Sequence, residues 1–201
     1  MEAASVAHEH HGPPEANRSS RVEPQLLGML LFIISEVMIF GAFFTAYFFI
    51  RIVSGDQWFP FRGHELPVAV AGINTAILLS SSLTMHWAQT SIKNGNRFGL
   101  QAGMVTTFLL GLTFLFIQIN EYVHLGFTPQ DTAFGSTFYT LTGAHGLHVF
   151  VGLTILTLCL IRVKRAHDFT PKWFTPLGAG SLYWHFVDVV WVLLFALVYL
   201  L

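Results

Sequence analysis

The chain has 201 residues, 53% of them hydrophobic, and only 21 are Asp, Glu, Lys or Arg, about 10% where a soluble domain carries roughly 25%. So few charges cannot wet the surface of a water-soluble globule of this length. A net charge of −1 gives no basic field for nucleic acid, 20 Phe with 5 Trp exclude a disordered composition, and the single Cys159 rules out an intrachain disulfide or a cysteine metal cluster.

The first 25 residues are polar, carry His8, His10 and His11 beside Pro13 and Pro14, and contain no apolar core of a signal peptide. They read as a flexible tail, and histidines grouped at a solvated terminus carry little weight as a metal site. Five apolar blocks follow, near 26–50, 68–88, 104–122, 138–161 and 177–201. Each is long enough to cross a hydrocarbon core of about 30 Å as a helix of roughly 20 residues. They are apolar on all sides, whereas a barrel strand would alternate and stop after about ten residues. The sequence therefore predicts an all-α membrane protein, a bundle of five transmembrane helices behind the tail. The connections, around 56–66, 93–96, 126–131 and 167–172, are too short for a soluble domain.

Basic residues set the orientation, because Lys and Arg beside spans stay in the cytoplasm. Arg18, Arg21, Lys93, Arg97, Arg162, Lys164, Arg165 and Lys172 fall on one face, and only Arg51 and Arg62 on the other. The expected topology has the N-terminus in the cytoplasm and the C-terminus outside, with Trp58, Phe59 and Phe61 at the outer interface.

Ionisable groups within the spans are costly unless paired, hydrated or protonated. Glu36 lies ten residues into the first expected span, about 15 Å deep. An acid isolated there is protonated. It serves either as a proton-binding group or as a neutral acid hydrogen-bonded to another helix, and the residues leave both readings open. His185 and Asp188 share a helix face in the fifth span, flanked by Trp184 and Trp191. His145 and His148 repeat that spacing in the fourth, and Glu121 ends the third with His124 three residues on. Glu121, His145, His148, His185 and Asp188 are therefore expected to form a buried polar network that fixes helix register, which outweighs a metal or ligand site. The Glu121-x-x-His124 spacing matches di-iron bundles, but such a centre needs two such pairs and two more glutamates. A haem between histidines is allowed but demanded by no spacing. Proline avoids the span interiors and no internal repeat is evident, which disfavours a channel or transporter. No catalytic or metal-ligating set is expected.

Motifs distributed along the chain identify a family. Tyr183-Trp-His-Phe-Val-Asp-Val-Val-Trp191 resembles the last-helix motif of subunit III of the haem–copper terminal oxidases. Ser35-Glu-Val-Met-Ile-Phe40 is similar to the family's intramembrane glutamate motif, and Glu121-Tyr122, Phe134-Gly-Ser-Thr-Phe-Tyr139 and Thr142-Gly-Ala-His-Gly-Leu-His148 follow in the family's order. The resemblance implies a non-catalytic core subunit of an oxygen-reducing, proton-pumping cytochrome c oxidase, enzymatic only as part of the complex. Subunits I and II would hold the haems and copper, and this chain would hold no cofactor except phospholipid. It further implies that Glu36 is the carbodiimide-type carboxyl, that Arg162 and Arg165 hold lipid head groups, and that the subunit supports proton uptake and protects subunit I during turnover. The implied setting is the aerobic respiratory chain of a bacterial plasma membrane, where the oxidase can join a larger supercomplex. Many members have seven helices rather than five, and Ala144 stands where Phe is common. Glu36 and Tyr183 resemble the cytochrome c branch more than the quinol branch. A quinol oxidase subunit and a nitric-oxide-reductase accessory subunit are the neighbouring alternatives, ahead of a free-standing haem or di-metal enzyme or an independent proton carrier.

Overall fold

A computed structural model of the chain describes residues 24–58, 66–165 and 174–201. Five long helices follow one another in them: α1 (Pro24–Ser54), α2 (Val68–Lys93), α3 (Arg97–His124), α4 (Ala133–Arg165) and α5 (Phe174–Phe195). A 3-10 turn, Gly55–Gln57, closes α1, and a π-helical turn, Ala196–Leu200, extends α5. All five helices are long and apolar enough to cross a membrane, and the described residues contain no strand.

Helices α3 and α4 begin before their apolar blocks because polar caps start them. Helix α3 starts at Arg97 rather than near 104, since Asn96 Oδ1 accepts the Gly99 N–H at 2.9 Å. Helix α4 starts at Ala133 rather than 138, with Thr132 Oγ1 accepting the Gly135 N–H at 2.8 Å. Between α2 and α3 the chain reverses in three residues. Gly95 takes φ 68°, its N–H bonds Ile92 O, and Asn96 N–H bonds Ser91 O. These paired bonds satisfy the last carbonyls of α2, and the left-handed φ suits glycine.

Helix α5 sits at the centre, with 56% of its most apolar stretch buried against 11% for α1. It packs on α1, α2 and α4, while α3 completes a four-helix core by packing on α2 and α4. Leu78, Met85, Met104, Phe114, Phe138, Trp184 and Trp191 fill that core. Helix α1 lies outside it, against α4 and α5, and exposes Leu31, Ile34, Met38, Phe49, Ile52 and Val53. Acyl chains or another membrane subunit can cover such a surface, and water cannot.

Small residues bring α2 and α3 closest together. A Cβ on Gly103 would stand 2.9 Å from Ala88 Cβ and 3.0 Å from Thr84 O, and Thr107 Oγ1 lies 2.7 Å from Thr84 Oγ1. Without a hydrophobic drive between helices in lipid, this close van der Waals and hydroxyl contact holds them. One level further along, the Trp184 ring lies between Gly111 of α3 and Gly152 of α4, and its Nε1–H donates to Ser81 Oγ at 2.9 Å.

Side-chain bonds tie the helix ends. Arg97 donates to Val163 O at 2.9 Å, joining the start of α3 to the end of α4, and Arg51 donates to Leu201 O at 2.8 Å, joining the end of α1 to the chain's last residue. Lys93, Arg97, Arg162 and Lys164 thus gather at one end of the bundle and Arg51 at the other. Trp58 tucks into that second end between Tyr47 and Phe134, only 8% exposed, instead of lying at the surface as an interfacial ring. The tail up to Glu23 with its histidines, Phe59, Phe61, Arg62 and Lys172 lie outside the described residues.

Candidate functional site: polar groups inside the bundle

The polar groups expected to form one network make no direct hydrogen bond to one another. Glu36 lies twelve residues past Pro24, about 18 Å along α1, and is buried against α4. Its Oε2 is 2.8 Å from His148 Nε2. The other ring nitrogen, His148 Nδ1, is 2.7 Å from Ala144 O. A carbonyl oxygen only accepts, so Nδ1 carries a proton. Nε2 and the carboxyl then share a single further proton: a neutral acid donates to Nε2, or an imidazolium donates to a carboxylate. Either arrangement has zero net charge, which is what a pair embedded in hydrocarbon requires. Phe40 stacks edge-on against the imidazole at 4.9 Å, and the Tyr183 hydroxyl donates to His148 O at 3.1 Å.

His145 points elsewhere, although it is three residues from His148. It is fully buried, tilted over Trp191 with ring centroids 4.9 Å apart and edge-on to Phe114 at 5.8 Å. Neither of its ring nitrogens has a hydrogen-bond partner among the described residues.

His185 and Asp188 share a face of α5 but do not bond directly, with His185 Nδ1 3.9 Å from Asp188 Oδ2. The Ser82 hydroxyl of α2 lies 2.6 Å from that Nδ1, and neither Asp188 oxygen has a hydrogen-bond partner among the described residues. Asp188 is 3% exposed, and His185 is the more open of the two.

Glu121 is buried at 4% exposure, where its Oε1 accepts the Tyr199 hydroxyl at 2.7 Å. The π-helical turn carries Tyr199, and a widened turn of this kind re-aims side chains relative to the preceding α-helix. His124 turns away from Glu121 and bonds Asn120 O at the surface, so the Glu-x-x-His spacing yields no joined ligand pair. Among the described residues no group of three or more His, Cys, Asp or Glu is placed to hold a metal ion. Arg162 is exposed at the end of α4, and Arg165 is the last residue of that helix, its side chain outside the described residues.

Several residues that complete these sites lie outside the sequence motifs: Ser82 on His185, Tyr199 on Glu121, and Asn74 and Gln118 in the core. Asn74 and Gln118 are visible in the sequence as amides within apolar blocks. The helix contact has a plainer signal, since Gly99, Gly103, Thr107 and Gly111 recur every fourth residue along one side of α3.

Comparison with known proteins fits this architecture. Residues 15–201 match the family described as cytochrome c oxidase subunit III. The chain is similar to cytochrome c oxidase subunit 3 of Papio hamadryas, 44% identical over 177 residues that cover 86% of this chain and 67% of that protein. The Oryctolagus cuniculus protein of the same name is 42% identical over 177 residues, with the same coverage of 86% and 67%. That of Synechocystis sp. is 41% identical over 195 residues, covering 97% of this chain and 80% of its relative. A five-helix membrane bundle matched over nearly its whole length to one family is no chance likeness: the chain belongs to the cytochrome c oxidase subunit III family, and so is a subunit of a respiratory haem–copper oxidase complex.

Proposed function

We propose that the chain is the non-catalytic subunit III of a bacterial cytochrome c oxidase, set in the plasma membrane with its N-terminus in the cytoplasm. In this reading it packs on subunits I and II, which hold the haems and copper, supports proton uptake and steadies subunit I. The observation that carries it is the Glu36–His148 pair. One proton held between an acid and a base inside the membrane can pass from the carboxyl to the imidazole and back with the pair at no net charge throughout. The names of the relatives and the residues Glu36 and Tyr183 favour the cytochrome c branch over a quinol oxidase. Arg162 and Arg165 stand where a guanidinium meets an anionic head group at the end of a span, so phospholipid is the expected bound molecule there. The exposed apolar face of α1 can take its acyl chains.

The test is the oxidase complex purified with and without this chain, followed through repeated turnover. Without it, initial oxygen reduction is expected to persist while the number of turnovers before inactivation falls several-fold. An unchanged catalytic lifetime refutes the supporting role. In the intact complex, Glu36→Gln keeps a donor for His148 Nε2 but removes the transferable proton. Oxygen reduction is expected to fall a few-fold at alkaline pH, where proton supply limits the rate, and to stay close to normal at neutral pH.

A further inference from the structure

One region of the core carries more hydrogen-bonding capacity than its neighbours use. Asn74 of α2, Gln118 and Glu121 of α3 and His145 of α4 are all buried, none more than 4% exposed. Asn74 donates from Nδ2 to Phe114 O at 3.2 Å, and Tyr199 donates to Glu121 Oε1. Among the described residues, Asn74 Oδ1, both amide atoms of Gln118, Glu121 Oε2 and both ring nitrogens of His145 have no hydrogen-bond partner. Six orphan atoms on four side chains far exceed what a folded core normally tolerates.

The four side chains are neighbours. Phe114 joins Asn74 through its carbonyl and His145 through its ring, Gln118 is one turn further along α3, and Glu121 is one turn beyond that. Tyr199 closes the row next to Glu121 and against Trp191, which in turn stacks on His145. The orphan atoms thus run along the inner side of α3 for about 10 Å. They include acceptors and donors, and His145 and Gln118 each offer one of both kinds. Small neutral molecules that donate and accept at once match that set, and water is the one small enough to enter a helix bundle.

We infer that Asn74, Gln118, Glu121 and His145 form an internal hydration site, in which ordered water molecules link His145 to the Glu121 carboxyl through Gln118. The site lies within the α2–α3–α4–α5 core, apart from the Glu36–His148 pair, and the inference does not depend on the proposed role of that pair.

X-ray radiolysis of the intact oxidase complex in ¹⁸O-labelled water tests it, because hydroxyl radicals formed at a bound water oxidise the side chains beside it even when bulk solvent cannot reach them. Trp191 lines the site. Trp184 is an equally buried residue of the same type, clamped between Gly111 and Gly152, and serves as the reference. Trp191 is expected to take up several-fold more label than Trp184. Equal labelling of the two in the native complex overturns the proposal, whatever the behaviour of any variant. In Gln118→Leu, which removes the middle of the row, Trp191 labelling is expected to drop to the Trp184 level. Labelling that persists in an assembled Gln118→Leu complex also overturns the assignment to these side chains.

Discussion

Glu36 is conspicuous in the sequence, an acid amid apolar residues, but its partner is not. His145 and His148 share a motif and look equivalent on a linear reading. Three residues at 3.6 per turn leave them about 60° apart around α4. That offset is enough to put His145 in the core beside Trp191 and His148 in the groove beneath α1. Replacing Glu36 by Leu leaves His148 Nε2 without a partner and is expected to cost about 1–3 kcal/mol, while Glu36→Gln costs less because its amide still donates. Thermal inactivation of the assembled complex, run for both variants, separates them, and equal losses would mean the hydrogen bond contributes nothing. For Tyr199→Phe the expected loss is also about 1–3 kcal/mol, since Glu121 then has no protein partner among the described residues.

Among the helices, the contacts that matter are those where no side chain fits. A Cβ on Gly111 would stand 2.5 Å from the Trp184 ring and one on Gly152 would stand 2.9 Å from it. Both neighbours are a rigid indole held by Ser81 and packed from several sides, so it cannot simply swing away. Gly111→Ala and Gly152→Ala are expected to destabilise the bundle by about 1–3 kcal/mol each. Gly41→Ala and Gly143→Ala, where an added Cβ meets nothing within 4 Å, are expected to be neutral or stabilising by up to about 1 kcal/mol. Subunit loss from the complex under graded detergent ranks the four, and a uniform response would show that the slot around Trp184 is loose. The glycines are legible in the sequence, but which helix each one faces is not, because a helix has many sides and only packing chooses among them.

The turn between α3 and α4 is expected to respond to pH. The Thr128 backbone N–H donates to Asp131 Oδ2 at 2.6 Å, and that bond, with the Thr128 hydroxyl nearby, holds the Asp131 carboxyl below its ordinary range. A depressed acid supports the turn fully above its ordinary value and loses that support as pH falls through the depressed one. Hydrogen–deuterium exchange at the Thr128 amide is expected to be slow at neutral pH and to speed up in acid beyond the intrinsic change. Protection that does not vary with pH would place the support elsewhere.

At the scale of the whole molecule, charge and burial divide the work. Lys93, Arg97, Arg162 and Lys164 collect at one end, where Arg97 also closes α4 through Val163 O. The proposed orientation places that end in the cytoplasm. In a Cys159→Ser background, Asn94→Cys in the turn after α2 is expected to react with an impermeant thiol reagent only from the cytoplasmic side of membrane vesicles. Labelling from the outer side alone inverts the topology.

The sequence by itself determined the helical membrane class, the number of spans and the family. Those follow from the length of apolar runs, the scarcity of charge and short motifs, all of which are properties of the chain read in order. Only the tertiary structure decided that α5 is central and α1 peripheral, that Glu36 pairs with His148, and that His185 bonds Ser82 of α2 rather than Asp188. In a bilayer every span is apolar on its outside, so hydropathy does not tell one helix face from another. The choice falls to close packing and to the need of each buried polar atom for a partner.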